Sequence, residues 1–325
     1  APGAFFIAMT HSPALQKVPP TVVSLADHEQ HARQHLDDNA WAYFSGGAAD
    51  EITLRANRSA WDALPLWPRV LRPLAGGHTR VPLLGRTLAH PILLAPVAFQ
   101  RLAHPDGELA MAYAAAALGA GVVLSTQASV SLESVAQAVL PDPGRGPLWF
   151  QLYQQASREH TLQLVRRAEA AGYTALMWTV DAHIKRSSYP LPPGVEAVNL
   201  RGMPQQRQTG DLMSEHILFG SELARGAPTW DDLVWLRQQT RLPLIVKGLL
   251  SARAAAQAVE LGADAIVVSN HGGRVLDTAV SALEVLPAIR AATPAHIPLL
   301  MDGGVRQGTD VLKAIALGAS AALLG

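Results

Sequence analysis

A short polar segment, Ser269-Asn270-His271-Gly272-Gly273-Arg274, carries the residues best suited to chemistry, and it directly follows the apolar run 265–268. That run is rich in β-branched residues, which is typical of a strand buried on both faces. A neutral imidazole can accept a proton near neutral pH. A guanidinium can bind a carboxylate through two parallel hydrogen bonds. His271 and Arg274 therefore predict acid–base chemistry on a substrate that has a carboxylate.

The elements that must position these residues alternate between short apolar runs and helical stretches. Apolar runs predict strands at 92–97, 121–125, 148–153, 175–181, 243–247, 265–269, 297–301 and 320–324. Helices are predicted near 107–118, 131–139, 158–171, 230–240, 251–261, 279–291 and 308–317. Because continuous apolar strands separated by helices pair in parallel, this α/β pattern predicts a closed (β/α)8 TIM barrel. A Rossmann-type fold fits less well, because no G-x-G-x-x-G follows the first strand.

The segment before the barrel has a different pattern. We expect residues 1–90 to form an N-terminal arm, helices and a short hairpin that cover a barrel of residues 91–325. Helices are predicted from an N-cap at Ser24 to about Asp37, over 39–44 with an end at Gly46-Gly47, and from about Asp50 to before Pro65. The sequence stops at Gly325, directly after the eighth strand, so an eighth helix is absent from it and we expect the natural chain to continue.

Polar side chains are concentrated at the C-terminal ends of the apolar strands. They are Ser125, Gln151, Tyr153, Thr179, Asp181, Lys247, Ser269, His271, Arg274, Asp302 and Arg306. Unpaired polar groups are costly to bury, and α/β barrels gather these strand ends at one face, so one shared site is predicted. Within it, Asp302-Gly303-Gly304-Val305-Arg306 and the following helix start predict a phosphate site built on backbone N–H groups.

Composition excludes several classes of function. The 325 residues are 49% hydrophobic and 16% charged with zero net charge, so a large core is expected and nucleic acid and anionic membranes are poor partners. The absence of cysteine excludes disulfides, thiolate catalysis and Cys-ligated metals, and no metal site is expected. The apolar run 4–9 is too short for a membrane span and lacks the charged start of a signal peptide, so we expect a cytoplasmic protein.

The segment Ser269–Arg274, followed by Leu276-Asp277, resembles the signature of the FMN-dependent α-hydroxy acid oxidases and dehydrogenases. This family includes glycolate oxidase, lactate oxidase, mandelate dehydrogenase and hydroxymandelate oxidase, and the resemblance extends from about Ser24 to Gly325. It implies a TIM barrel that binds FMN and oxidises an L-2-hydroxy acid to the 2-oxo acid. O2 would reoxidise the flavin and give H2O2, and the protein would form a homotetramer.

The resemblance also implies roles for individual residues in binding the cofactor. The backbone of Pro96, Val97 and Ala98 would lie beside the reactive N5 edge of the flavin. Ser125, Gln151 and Thr179 would bind the rim of the ring system, and Lys247 would lie near N1 and the C2 carbonyl. The remaining cofactor contacts would come from Ser269, Asp302, Gly303, Gly304, Arg306 and Gly325. The arginine that holds the flavin phosphate in the family is expected just beyond Gly325.

For the substrate, the resemblance implies that Tyr43, in the segment 42–51, and Arg274 hold the carboxylate. Tyr153 would contact the hydroxyl oxygen, and His271 would be the base with Asp181 on its other ring nitrogen. Whether His271 takes the hydroxyl proton or the Cα proton stays open. The family has a second substrate arginine after Asp181, where this sequence is shorter, and Arg186 is the only local candidate.

Three points stay open: what covers the substrate, how large the substrate is and which reaction class applies. The stretch 182–228 is rich in Gly, Pro and Gln and is interpreted as a lid over the substrate. Phe99, Gln127 and Met203 are candidates for the pocket wall, and the lack of a bulky aromatic at Gln127 leaves room for an aryl substrate such as mandelate. A dehydrogenase with an acceptor other than O2, an FMN-dependent non-redox isomerase and a barrel that only binds phosphate remain alternatives.

Overall fold

The computed structural model describes residues 17–182, 189–204 and 226–325. Its strands are β1 (Val81–Leu83), β2 (Arg86–Leu88), β3 (Ile92–Leu94), β4 (Gly121–Leu124), β5 (Leu148–Leu152), β6 (Leu176–Thr179), β7 (Leu244–Leu249), β8 (Ala265–Val268), β9 (Leu299–Met301) and β10 (Ala321–Leu324). Strands β3 to β10 form a closed barrel in which every neighbouring pair is parallel. The predicted (β/α)8 barrel is therefore confirmed, and each of its strands overlaps a predicted one.

The helices of the described residues are α1 (Leu25–His35), α2 (Asp38–Ser45), α3 (Ile52–Ala63), α4 (Glu108–Ala117), α5 (Leu132–Val139), α6 (Arg158–Ala171), α7 (Trp230–Gln239), α8 (Ala252–Glu260), α9 (Ala282–Ala292) and α10 (Gly308–Ala316). Ser24 caps α1 as predicted, because its side chain accepts the N–H of Asp27 in a capping box. Helix α2 ends at Gly46, also as predicted. Helices α4 to α10 alternate with the barrel strands and cover their outward faces.

The inside of the barrel changes from apolar to mostly polar toward the C-terminal ends of its strands. One fully buried layer consists of Leu93, Val123, Trp149, Met177, Ile245, Val267, Leu300 and Leu323, one residue from each barrel strand. Side chains alternate between the two faces of a strand, so the residue two positions later also faces inward. Those residues are Ala95, Ser125, Gln151, Thr179, Lys247, Ser269, Asp302 and Gly325. Strand geometry thus assembles most of the predicted site residues in one layer.

A two-stranded hairpin closes the other end of the barrel. β1 and β2 pair antiparallel, with Val81 opposite Leu88, and β2 leads almost directly into β3. Leu83 and Leu88 are buried in the same apolar cluster as the barrel interior. Because the hairpin immediately precedes the start of β3, it covers the N-terminal ends of the strands, opposite the polar layer.

Helix α3 lies against the loops that follow β8 and β9. The carboxylate of Asp277 accepts the N–H groups of Asp50 and Thr53 and so binds the start of α3. A Cβ atom on Gly273 would lie 2.6 Å from the backbone nitrogen of Leu54, so only glycine permits this approach. No helix in the described ranges is long and apolar enough to cross a membrane.

We expect the Leu88→Ala substitution to lower the free energy of unfolding by about 2–5 kcal/mol, because it leaves a cavity below the barrel interior. Thr87 lies on the same strand but is exposed, so Thr87→Ala should change stability by no more than about 0.5 kcal/mol. Equilibrium urea unfolding followed by circular dichroism measures both values. Equal effects of the two variants would show that the hairpin does not stabilise the barrel.

Candidate active site

Three neighbouring strands contribute a connected set of polar side chains to the mouth of the barrel. The side-chain amide of Gln151 donates to the hydroxyl of Thr179 at 3.1 Å. Its carbonyl oxygen accepts from the Thr126 N–H at 3.1 Å and from the Ser125 hydroxyl at 3.4 Å. All four residues are buried, so their hydrogen bonds fix the direction in which each side chain faces. The structure therefore brings Ser125, Gln151 and Thr179 together, as the sequence predicts.

Lys247 places a buried ammonium group in the same layer. Only 4% of the residue is exposed, and its Nζ lies 2.9 Å from Asp302 Oδ2 and 2.9 Å from Ser269 Oγ. Burial acts to lower the pKa of Lys247, but the negative charges of Asp302 and Asp181 outweigh it and raise the pKa above its ordinary value. Lys247 therefore stays positively charged at neutral pH and provides a fixed cation for a ligand in the barrel mouth.

An imidazole–carboxylate pair lies beside this cation. His271 Nδ1 is 2.9 Å from Asp181 Oδ1, and His271 Nε2 faces the hydroxyl of Tyr153 at 3.5 Å. Burial acts to raise the pKa of Asp181, but the positive charge and hydrogen bond of His271 and the charge of Lys247 hold it below its ordinary value. Because an ionised carboxylate can only accept, Nδ1 of His271 carries the donated hydrogen. In its neutral form the ring then has Nε2 available to take up a proton.

Tyr153 stays protonated beside this pair. Its pKa is raised by burial and by the negative charge of Asp181, against the opposing positive charge of Arg274. A neutral phenol at this position can donate a hydrogen bond to an oxygen atom that approaches His271 Nε2.

The position of Asp181 depends on a glycine in the neighbouring strand. The pairing of β7 with β8 shifts register between Lys247 and Leu249, and Gly248 in this bulge has a φ of 110°. A Cβ atom on Gly248 would lie 2.5 Å from the carboxyl carbon of Asp181. Sequence reasoning missed this residue, although a glycine inside an apolar strand can indicate a bulge or a close approach.

Arg274 and Tyr43 meet at the C-terminal end of α2. Arg274 Nη1 donates to the carbonyls of Gly46 at 2.6 Å and Phe44 at 3.3 Å, and Nη2 donates to the carbonyl of Tyr43. Its guanidinium carbon lies 5.5 Å from the centre of the Tyr43 ring. The end of α2 therefore holds the cation, as the negative end of a helix dipole favours. A direct role of Arg274 in helix capping was not expected from the sequence.

The ring of Tyr43 belongs to an aromatic cluster. It packs edge-on against Phe44, Phe99 and Tyr189, with ring centres 5.0, 6.0 and 5.4 Å away. Burial raises the pKa of Tyr43 to about 12, so its hydroxyl is protonated at neutral pH. The cluster therefore fixes the ring that the Arg274 guanidinium faces.

The glycines after β9 serve packing in addition to any contact with a phosphate. A Cβ atom on Gly304 would lie 2.5 Å from the carbonyl oxygen of Asn57, and the Trp61 indole donates to the Gly303 carbonyl at 2.9 Å. The N–H groups of Arg306 and Gln307 donate to the carboxylate of Asp310, at 2.9 and 3.0 Å. Asp310, a capping residue of α10, thus accepts two of the N–H groups at the start of this helix, and the phosphate contact stays a prediction.

The remaining predicted cofactor residues lie around the same opening. Pro96, Val97 and Ala98 follow β3 and are half-buried, and the Arg306 side chain is exposed. Gly325 follows β10 next to β3, where an added Cβ atom would contact Ala95 and Val97 at 3.2 and 3.4 Å. Arg186 lies outside the described residues, as does most of the predicted lid.

Several residues were not found from the sequence or differ from expectation. Glu108 is fully buried and accepts the N–H groups of Gln100 at 3.1 Å and Ser129 at 2.9 Å, so it joins the loops after β3 and β4. Asn199 is also buried and accepts the N–H of Leu132, which anchors part of the stretch interpreted as a lid.

Met203 is buried in the apolar core outside the barrel, so it does not form the expected pocket wall.

The residues of the barrel mouth fit an FMN group. Among the described residues, Asp302 Oδ1 and Asp181 Oδ2 are buried oxygen atoms without a hydrogen-bond partner. A buried acceptor of this kind fits a ligand with hydroxyl groups, such as a ribityl chain, because an unsatisfied buried polar atom is unfavourable. The buried ammonium of Lys247 fits a ring system that gains negative charge.

An α/β barrel with a fixed cation, a polar rim and a carboxylate-bound imidazole at its C-terminal face defines an α/β-barrel enzyme. Residues 32–325 match the family model described as FMN-dependent dehydrogenase. The chain is 46% identical over 316 residues to L-lactate oxidase of Alicycliphilus denitrificans, covering 95% of this chain and 85% of that protein. It is 42% identical over 313 residues to 4-hydroxymandelate oxidase of Amycolatopsis orientalis, covering 94% and 85%.

Solved structures agree with these relatives. The crystal structure of a mandelate oxidase matches with a TM-score of 0.81 at 42% identity and covers 93% of this chain and 84% of that chain. The chain therefore belongs to the FMN-dependent dehydrogenase family, and its cofactor is FMN.

We expect Gly248→Ala to lower kcat for a 2-hydroxy acid by about 10- to 100-fold, because the added methyl group displaces Asp181 from His271. Gly85 also has a positive φ, of 79°, but nothing lies within 4 Å of an added Cβ, so Gly85→Ala is a control for backbone strain alone. Steady-state kinetics and the visible absorbance of bound flavin measure the two effects. An equal loss in both variants would contradict the steric explanation.

Proposed function

We propose that this enzyme oxidises an L-2-hydroxy acid to the 2-oxo acid with O2 as the acceptor, according to RCH(OH)COO⁻ + O2 → RCOCOO⁻ + H2O2. The observation that carries the proposal is the placement of His271 Nε2, with Asp181 behind it and Tyr153, Arg274 and Lys247 around it. FMN, when bound, supplies the two-electron acceptor that O2 reoxidises. The oxidase names of the relatives favour O2 over another acceptor.

His271 accepts one proton from the substrate at Nε2, from either the hydroxyl group or Cα. Asp181 holds the ring through Nδ1 at 2.9 Å and stabilises the imidazolium that forms, because its carboxylate stays ionised. Tyr153 donates its hydroxyl hydrogen to the oxygen on the reacting carbon. These three residues together orient the bond that must break and stabilise the charge that develops.

The carboxylate of the substrate binds to Arg274 and to the hydroxyl of Tyr43, with Arg186 as a proposed additional ligand. Arg274 gives three N–H groups to carbonyls near the end of α2, and a guanidinium has five. The remaining donors can face the substrate, while the helix fixes the guanidinium plane. This arrangement selects an acid over the corresponding alcohol or amide.

We infer that the side chain of the substrate can be an aryl group. The rings of Phe99 and Tyr189 lie edge-on to Tyr43, and such clusters bind another aromatic ring in the same geometry. The similarity to a 4-hydroxymandelate oxidase and a mandelate oxidase supports this inference.

Anaerobic addition of (S)-mandelate or L-lactate to the holoenzyme should bleach the visible flavin absorbance, with mandelate acting at least as fast as lactate. Admission of air should restore the colour and release one H2O2 for each 2-oxo acid formed. The R-enantiomer of mandelate is the control and should leave the absorbance unchanged.

Each other result of this experiment contradicts one part of the proposal. Bleaching without peroxide on air admission would indicate a dehydrogenase. Absence of bleaching by every 2-hydroxy acid would contradict the oxidation itself. Much faster reduction by lactate than by mandelate would contradict the aryl substrate.

We further infer that the chain forms a homo-oligomer, a tetramer by resemblance, through the segment 66–74, in which exposed apolar side chains flank Arg69 and Arg72. Trp67, Val70, Leu71 and Leu74 are 88%, 78%, 99% and 86% exposed. Exposed apolar clusters of this kind mark association surfaces. A second copy of the chain is the proposed partner, and a cytoplasmic location stays a prediction from the sequence.

Leu71→Asp should dissociate the oligomer, because a charge in an apolar interface must lose its hydration. Light scattering after size-exclusion chromatography should show a lower mass for this variant than for the wild type. Leu118→Asp is the matched control, since Leu118 is 74% exposed and lies outside the segment. A monomeric wild-type protein, or equal masses of wild type and Leu71→Asp, would contradict the proposed interface.

A further inference from the structure

The backbone at His271 has a conformation that a residue with a side chain rarely adopts. Its φ is 57°, and Gly272 and Gly273 follow with φ values of 67° and 75°. The left-handed region is unfavourable for residues with a Cβ atom and persists only where surrounding contacts fix it. Contacts with surrounding side chains must therefore hold His271 in this conformation.

The side chain of Asn270 supplies much of that support. Its Oδ1 accepts from Asn57 Nδ2 at 2.9 Å and from the Gly273 N–H at 3.1 Å. Its Nδ2 donates to Asn57 Oδ1 at 2.8 Å and to the Val280 carbonyl at 3.0 Å. Both hydrogens and both oxygen lone pairs of the Asn270 side-chain amide therefore take part in hydrogen bonds. Asn270 thus spans its own loop, from Gly273 to Val280, and joins it to Asn57.

Asn57 and Asn270 form a buried, reciprocal amide pair. Asn57 is 2% exposed and Asn270 is 6% exposed, so water does not compete effectively for these hydrogen bonds. The two residues are 213 positions apart, and Asn57 lies on α3, which is not part of the barrel. The pair is thus a tertiary contact between the N-terminal helices and the loop of His271.

The same turn of α3 also contacts the loop that follows β9. The Asn57 carbonyl lies against Gly304, and its amide group lies 3.3 Å from where a Cβ on Gly303 would be. The neighbouring Arg58 donates to the Gly304 carbonyl at 2.8 Å. This turn therefore contacts two loops at once, one with His271 and one that begins at Asp302.

We propose that Asn57 is a positioning residue for His271. It acts through Asn270, keeps the strained backbone of His271 in its conformation and fixes that loop relative to the loop of Asp302. Asn57 contacts neither substrate nor flavin in this role. The kinetic readout of this inference rests on the proposed oxidation of a 2-hydroxy acid, whereas hydrogen exchange tests it independently.

The test compares the wild-type holoenzyme with Asn57→Ala. We expect kcat to fall about 10- to 100-fold, because a small displacement of a catalytic base has effects of this size. KM for the acid and the flavin content should change less than about threefold, because Arg274 and Lys247 are held by other contacts. Hydrogen exchange measured by mass spectrometry should become faster over residues 265–281.

Two control variants separate positioning from a general loss of stability. Val165→Ala removes buried apolar contact in α6 and should destabilise the protein without a change in kcat or in exchange over 265–281. Ser59→Ala changes an exposed position on α3 and should behave like the wild type.

A double-mutant cycle tests the route through Asn270. If Asn57 acts through that residue, Asn57→Ala should cause less than about a twofold further loss of kcat in an Asn270→Ala background. Independent, multiplicative losses would overturn the proposed route.

An unchanged kcat in Asn57→Ala, or exchange over 265–281 equal to that of Val165→Ala, would overturn the inference. If Asn57→Ala does not fold, Asn57→Asp takes its place, because aspartate keeps the size of the side chain but lacks the donor to Asn270 Oδ1. The same two results would then overturn the inference. A wild type inactive on every 2-hydroxy acid would contradict the proposed function, while the exchange comparison would still decide the role of Asn57.

Discussion

The burial of an ammonium group in the mouth of the barrel is the constraint on which the site depends. Lys247 is almost inaccessible to water, so its charge must be matched by nearby acceptors. Asp302 and Ser269 bind it directly, and Asp181 contributes a second negative charge. Each of these partners also has a place in the proposed chemistry. The requirement to compensate one buried charge therefore brings the cofactor region and the proton acceptor into one network.

Ser269 is the link within this network. Its hydroxyl oxygen lies 2.9 Å from Lys247 Nζ and accepts the backbone N–H of His271 at 3.0 Å. The cation and the catalytic loop are therefore fixed to the same atom. Since Asp181 faces both His271 and Lys247, a change in the charge of either one acts on the other through it. An arrangement of this kind suits a reaction in which a proton and an electron pair leave neighbouring atoms.

The sequence allowed the barrel and most of its polar layer to be predicted, because both follow from regular periodicity. Apolar runs alternate with helices, and side chains alternate between strand faces, so Ser125, Gln151 and Thr179 were placed correctly beside one another. What could not be predicted depends on contacts between distant parts of the chain. Gly248 matters only because Asp181 lies over it, and Asn57 only because α3 meets Asn270. Such pairings leave no local pattern, and the capping of α2 by Arg274 is of the same kind.

The proposed reaction releases hydrogen peroxide inside a protein whose 325 residues contain no cysteine. Thiolates are the protein groups that peroxide attacks most readily, and methionine thioethers follow. Met177 and Met301 are fully buried in barrel strands, where a diffusing oxidant has little access to sulfur. Few sulfur atoms in the described core are therefore accessible to the hydrogen peroxide that the enzyme itself would produce.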